Sequence, residues 1–149
     1  MPTTFLAFDY GTKRTGLAVG NDLLCTTQAI PAISTTQIQA ADGKIVLDTL
    51  LPIINSWKVK HLVFGAPLDA DAQETNLSKR IKRLGNQLGN ALALPVSFAD
   101  ERYSSSEADR LLREHHPAGK KFNQKKIDLR DSIAAQLILQ AYFSENRIK

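Results

Sequence analysis

The sequence predicts an α/β protein built on one mixed, five-stranded sheet with helices on both faces. Three observations carry that prediction. Short apolar runs of strand length recur along the chain. Three of them follow one another before any helical pattern, as in an antiparallel meander. After that, strand and helix patterns alternate, and a helix between two strands makes them parallel. The 149 residues suit one domain with its own core, so residues 1–149 are read as a single unit.

Thr4-Phe5-Leu6-Ala7-Phe8-Asp9 is an apolar run ending in a carboxylate, the pattern of a strand buried on both faces. Tyr10 to Arg14 is a turn around Gly11. Thr15 to Gly20 reads as the second strand and Leu23 to Ile30 as the third, ended by Pro31. Residues 42–57 carry Ile45, Val46, Leu50, Leu51, Ile53, Ile54 and Trp57 at helical spacing, with Pro52 expected to kink or split that helix. His61 to Gly65 is a further strand, and Pro67 opens an irregular loop. Leu77, Ile81, Leu84 and Leu88 mark the apolar face of the next helix. Pro95 to Ala99 is the last strand. Ser104 and Glu107 have capping-box spacing, which predicts a helix to about Glu114. Residues 115–126 read as a basic loop, and about 128–143 as the final helix.

Composition narrows the function. Apolar residues at 43% and charged residues at 23% are globular values. The single cysteine, Cys25, excludes an internal disulfide framework and a cysteine-based zinc cluster, and reads as a packing residue. The start of the chain lacks a signal-peptide pattern, and no run approaches the ~18 apolar residues of a membrane span. The expected location is therefore the cytoplasm. Residues 1–74 hold 5 Lys/Arg against 7 Asp/Glu, whereas residues 75–149 hold 14 against 8. A basic second half suits a polyanionic partner, although a basic pI near 9.3 alone does not require one.

Three carboxylates fall where an α/β sheet gathers its chemistry, beyond the carboxyl ends of its strands. Asp9 ends the first strand and Glu101 follows the last. Asp131 lies in the first turn of the final helix, in line with Ala134, Ala135, Ile138 and Tyr142, a spacing that turns it toward the sheet. If the first and last strands are neighbours, Asp9 and Glu101 stand side by side. Converging carboxylates repel unless a cation joins them. Mg²⁺ or Mn²⁺ suits such oxygen ligands, and two ions about 4 Å apart activate water and stabilise a leaving oxygen. Each residue also has a plain structural role open to it. Asp9 would cap its turn, Glu101 would pair with Arg102 or Arg110, and Asp128 or Asp131 would cap the last helix.

The stretch Asp9-Tyr10-Gly11-Thr12-Lys13-Arg14-Thr15-Gly16-Leu17-Ala18 resembles the opening motif of the YqgF/RuvX-type family. Gly65-Ala66-Pro67-Leu68, Asp100-Glu101-Arg102, and Asp131-Ser132-Ile133-Ala134-Ala135 with Tyr142-Phe143 are similar to its later motifs, in the same order. The likeness spans essentially the whole chain, and the ordered set is more specific than any one motif. It implies an RNase H-like fold and a cytoplasmic, divalent-metal-dependent nuclease. It also implies a role in maturing the precursor of small-subunit ribosomal RNA, within ribosomal precursor particles, or in resolving Holliday junctions. By position, Asp9, Glu101 and Asp131 would be both the catalytic and the metal carboxylates; Asp128 matches less well. The chain departs from the family at Ala72, where glycine is usual, and at Tyr103-Ser104-Ser105-Ser106, which lacks the usual threonine. Neither departure removes an expected ligand.

Lys13 and Arg14 adjoin Asp9, and Arg102 follows Glu101. Lys79, Arg80, Lys82 and Arg83 cluster on one helix, and Lys120, Lys121, Lys125 and Lys126 in the basic loop. Of these, Lys13, Arg14, Arg102, Lys79, Lys82, Arg83, Lys120 and Lys121 are the candidate nucleic-acid contacts, by neutralising phosphates. A solvated helix face and a surface loop are the plainer readings. Phe122 would stack on a base or anchor its loop; His115 and His116 fit a helix end better than a metal site.

Three rival functions remain at this level. A resolvase for branched DNA needs two sites across a two-fold axis, so a homodimer favours it and a monomer counts against it. An ATP-binding protein is suggested by Asp9-Tyr10-Gly11-Thr12, which is similar to a phosphate loop of the actin and sugar-kinase superfamily. Those proteins close two lobes around the nucleotide, and this chain has length for one. A non-catalytic ribosome-assembly factor would keep the basic surface without turnover.

Overall fold

The computed structural model describes residues 3–66, 75–99 and 124–146, with side chains in the last helix described from Ser132 to Glu145. Five strands form one sheet: β1 (Thr4–Asp9), β2 (Arg14–Asn21), β3 (Thr26–Ser34), β4 (Val59–Gly65) and β5 (Val96–Ala99). Three α-helices are described: α1 (Leu50–Trp57), α2 (Asn76–Leu92) and α3 (Gln124–Asn146). The spatial order is β3-β2-β1-β4-β5. β1 is antiparallel to β2 and parallel to β4, β2 is antiparallel to β3, and β4 is parallel to β5. The sheet is mixed, as the sequence predicts.

Alternation along β1 divides the core in two. Leu6, Phe8 and Tyr10 join Leu17, Leu62 and Phe64 against Leu50 and Ile54 of α1 and Ile81, Leu84 and Leu88 of α2. Phe5 and Ala7 join Ala18, Val63 and Ala99 against Ala135, Ile138, Leu139 and Phe143 of α3. Both faces are therefore covered, which is why residues 5 to 8 are all buried. α3 comes close because Ala135 is small and because β2 carries no side chain at Gly20. A Cβ there would stand 2.7 Å from Leu139 Cδ2 and 2.7 Å from the Thr26 carbonyl oxygen.

The boundaries differ from expectation for local physical reasons. The first and last strands are not neighbours, because β4 lies between β1 and β5. The third strand is Thr26–Ser34, not Leu23–Ile30, and it runs through Pro31. β3 is an edge strand, and the β2–β3 register shifts between Thr15 and Leu17, opposite Pro31 and Ala32. A missing N–H is tolerated at an edge bulge. Leu23 and Leu24 lie in the preceding turn, both 71% exposed. Only residues 50–57 of the predicted 42–57 helix are helical, and Pro52 sits in the first turn, where its missing N–H costs nothing. On α2, Leu77 is exposed and Ser78 is buried in its place. Thr75 and Ser78 form a reciprocal cap that draws Ser78 inward. The last helix begins at Gln124, so residues 124–126 are helical and do not belong to the basic loop. The expected 104–114 helix lies outside the described residues. No helix among the described residues is long and apolar enough to cross a membrane.

Under α3, the His61 ring stacks on Phe5 at 4.6 Å. Its Nε2 is hydrogen-bonded to Ser97 Oγ (2.8 Å), which is hydrogen-bonded to the Tyr142 hydroxyl (3.1 Å). Burial lowers the His61 pKa below its ordinary 6.5, against the opposing charge of Asp22. The unfolded chain therefore binds this proton more readily than the folded one. The stabilising contribution is full above the unfolded pKa and is lost as pH falls from there through the folded pKa. Thermal unfolding from about pH 7.5 to 5.5 is expected to show a falling Tm that flattens in His61→Gln. Equal slopes for the two proteins would contradict this.

Candidate metal centre and nucleic-acid interface

Asp9 is the last residue of the central strand and is half-buried. The alternation that sends Phe5 and Ala7 toward α3 sends Asp9 to the same face. The turn after it is held from beneath. Thr35, buried at the start of a short 3₁₀ helix (Thr35–Gln37), donates its hydroxyl to the Gly11 carbonyl. Its Oγ1 is 2.9 Å from that of the fully buried Thr15, and its N–H donates to the Lys13 carbonyl at 2.9 Å. Because Thr35 gives its own hydroxyl proton to Gly11, Thr15 is the donor in that pair. Gly11 admits no side chain, since a Cβ would meet the Arg14 carbonyl oxygen at 2.5 Å. Thr35→Val keeps the shape but strips these hydroxyl bonds, leaving buried groups unsatisfied. A loss of about 1–3 kcal/mol is expected in urea unfolding; an unchanged midpoint would show that Thr35 does not hold the turn.

Ser132 fixes the final helix at the same end of the sheet. Its hydroxyl donates to the Ile30 carbonyl and accepts the Leu17 N–H at 3.4 Å. Leu17 and Ile30 flank the β2–β3 bulge, so Ser132 bridges two strands where their ladder is interrupted. Farther along α3, Gln136 and Gln140 donate to Thr27, and Phe143 reaches Gly20. α3 therefore runs from the Leu17 level toward the Gly20 level. Leu17 is the partner of Phe8 and Gly16 of Asp9, so the backbone at Asp131 lies near the carboxyl end of β1.

The carboxyl ends of β1 and β5 are two strand spacings apart, about 10 Å. Gly65 and Ala99 occupy the α3 side of the β4 and β5 ends, and the Ala66 N–H donates to the Ala99 carbonyl at 2.7 Å. Among the described strand residues, small groups stand beside Asp9 on that face. The donor set expected here is all carboxylate oxygen, which suits a hard divalent cation. Among the described residues no three His, Cys, Asp or Glu side chains converge. Glu101 and the side chain of Asp131 lie outside those residues, as do Arg102, Lys120 and Lys121.

The candidate phosphate-binding cations that are described lie toward this end of the sheet. Lys13 is exposed on the turn, and Arg14 is half-buried at the start of β2. Lys79 and Arg83 are exposed and Lys82 half-buried on α2, on the face opposite α3. Asp9 and the basic helix thus share one end of the sheet but not one face. Sequence reasoning gave no role to Thr35, nor to Thr15 and Ser132 within their motifs, yet these three position the turn and the helix. Ordinary Ser and Thr residues carry no such signal until their partners, as many as 115 residues away, are known.

A mixed five-stranded sheet in this order, with a carboxylate at the end of its central strand, defines an RNase H-like domain. The fold matches Thermus thermophilus RuvC in complex with a Holliday junction substrate, with a TM-score of 0.54 and 10% identity over 97% of this chain and 96% of that one. A second T. thermophilus RuvC structure gives a TM-score of 0.53. The family model described as "RuvX: Holliday junction resolvase" matches residues 3–145, and the chain belongs to that family. It is 39% identical to a "Putative pre-16S rRNA nuclease" of Burkholderia vietnamiensis, covering 95% of this chain and 89% of the relative. A protein of the same description from Saccharophagus degradans is 36% identical, covering 96% and 94%.

Proposed function

We propose that this chain is a divalent-metal-dependent endonuclease that hydrolyses phosphodiester bonds while trimming the 5′ end of pre-16S ribosomal RNA. The observation that carries the mechanism is the Ser132 anchor, which sets the backbone of Asp131 near the strand end that carries Asp9. Family membership and the relatives' descriptions favour the substrate. In this reading Asp9, Glu101 and Asp131 hold Mg²⁺ or Mn²⁺. Two such ions, when bound, supply an acidified water and charge stabilisation for the leaving oxygen.

The protein's own part is to hold carboxylates and phosphates in register. Lys13 and Arg14 grip the backbone beside the scissile bond, a part also assigned to Arg102. Lys79, Lys82, Arg83, Lys120 and Lys121 extend the electrostatic track. The cytoplasm and the ribosomal precursor particle are the setting this activity requires. The family description favours a second reading, resolution of branched DNA, which calls for a homodimer rather than a monomer.

The test is incubation of the purified protein with labelled pre-16S rRNA and a labelled four-way DNA junction, with Mn²⁺ or with EDTA. Mn²⁺-dependent cleavage of the RNA supports the proposal. Cleavage confined to the junction moves the assignment to a resolvase, and binding without cleavage moves it to an assembly factor.

A further inference from the structure

Across the sheet from Asp9 lies a polar cleft of about 330 Å³. Arg80 and Arg83 of α2 line one side, with Tyr10, Thr12, Thr36 and Gln39 opposite. The two arginines are three residues apart, so they share a helix face. Among the described residues, no carboxylate lines the cleft. The Arg80 guanidinium donates to the Tyr10 hydroxyl at 3.3 Å, which tethers an otherwise exposed side chain over the opening. Tyr10 follows Asp9 directly, and consecutive strand residues face opposite sides of a sheet. The cleft and Asp9 are therefore back to back at one strand end. The exposed turn residues Thr12 and Lys13 lie between them.

We propose that this cleft is a nucleotide subsite in which Arg80 and Arg83 hold a phosphate while the side chains of Thr12, Thr36 and Gln39 meet its sugar or base. The volume sits at the small end of ligand pockets, and paired guanidinium groups match a phosphate's oxygens. The occupant is one unit of the bound strand, displaced from the scissile position and reached over the Gly11–Lys13 turn. Arg80, omitted from the nucleic-acid contacts read from the sequence, becomes a binding residue. This deepens the nuclease reading and rests on it for the path of the strand.

The test measures binding of a fluorescent single-stranded RNA of roughly ten nucleotides to the full chain in EDTA, at several salt concentrations. The proteins are wild type, the Arg80→Gln/Arg83→Gln double variant, and Ala41→Glu. Ala41 is exposed on the cleft's rim, so this change adds a repelling carboxylate without touching the arginines. Both variants are expected to lose about tenfold in affinity near 100 mM salt. In the double variant the salt slope should fall by roughly 0.7 for each lost phosphate contact. Wild-type affinity and slope in both variants would overturn the proposal. Adenosine monophosphate is the second probe. If it binds wild type but not the double variant, and RNA binding is unaffected, the cleft takes a free nucleotide and the strand path is overturned. RNA binding that depends on the arginines, in a wild-type protein that cleaves nothing with Mn²⁺, sustains the cleft and sinks the nuclease reading.

Discussion

Asp9→Asn is expected to abolish Mn²⁺-dependent cleavage while leaving the fold and nucleic-acid binding in place. The substitution keeps the side chain's size and polarity, so the half-buried position at the end of β1 still accepts it. What it removes is negative charge where the cations would be held. Metal stabilisation of a developing oxyanion is worth several kcal/mol. Losing about 4 kcal/mol of it slows cleavage on the order of 10³-fold. The phosphate contacts assigned to Lys13, Arg14 and α2 are untouched, so affinity for a labelled RNA in EDTA should match wild type. A variant that cleaves at the wild-type rate would remove Asp9 from the mechanism. One that melts early and fails to bind would show Asp9 to be structural.

The largest stability effect is expected from Phe64→Ala. Phe64 is fully buried in β4, between β1 and β5. Its ring stacks on Phe8 with centroids 4.3 Å apart and planes 4° from parallel, and Phe98 flanks it at 6.1 Å. Gly85 of α2 presses close, since a Cβ there would stand 3.1 Å from Phe64 Cδ1. Truncation loses the transfer energy of the ring and leaves a cavity that a rigid three-layer core refills poorly. A loss of about 3–5 kcal/mol is expected, which lowers Tm by roughly 10 °C in a domain of this length. Leu51→Ala, at a position 41% exposed, should change stability by less than about 0.5 kcal/mol. Comparable Tm values for the two variants would contradict this account of the core.

Much of this architecture is legible in the residues because the determining patterns are local. The run Phe5 to Phe8 announces a strand covered on both sides, and Leu84 and Leu88 announce the inner face of α2. Asp9 is legible as a candidate because a carboxylate ends that run. The neighbour of β1 is not legible. Either later strand could pair with it, and the choice rests on how the chain crosses over the sheet. Pro31 misleads because its usual effect, ending a strand, is cancelled by an edge bulge that has no sequence signature. Pro52 misleads because its cost depends on its position in a helix whose start is set by tertiary packing at Leu50. Thr35 and Ser132 hold the candidate site through bonds to distant backbone, so their anchoring roles are not legible, even though Ser132 falls inside a recognisable motif. Arg80 reads as one more cation of a basic helix until the structure sets it against Tyr10.

The central claim is that the carboxyl end of β1 is a metal centre shared by Asp9, Glu101 and Asp131. It is tested most directly by titrating Mn²⁺ into the full chain under electron paramagnetic resonance, without nucleic acid. Wild type and the single variants Asp9→Asn, Glu101→Gln and Asp131→Asn are compared. The account predicts saturable Mn²⁺ binding in wild type, weakened in all three variants while their circular dichroism spectra stay unchanged. Mn²⁺ binding that is identical in all four proteins would contradict it.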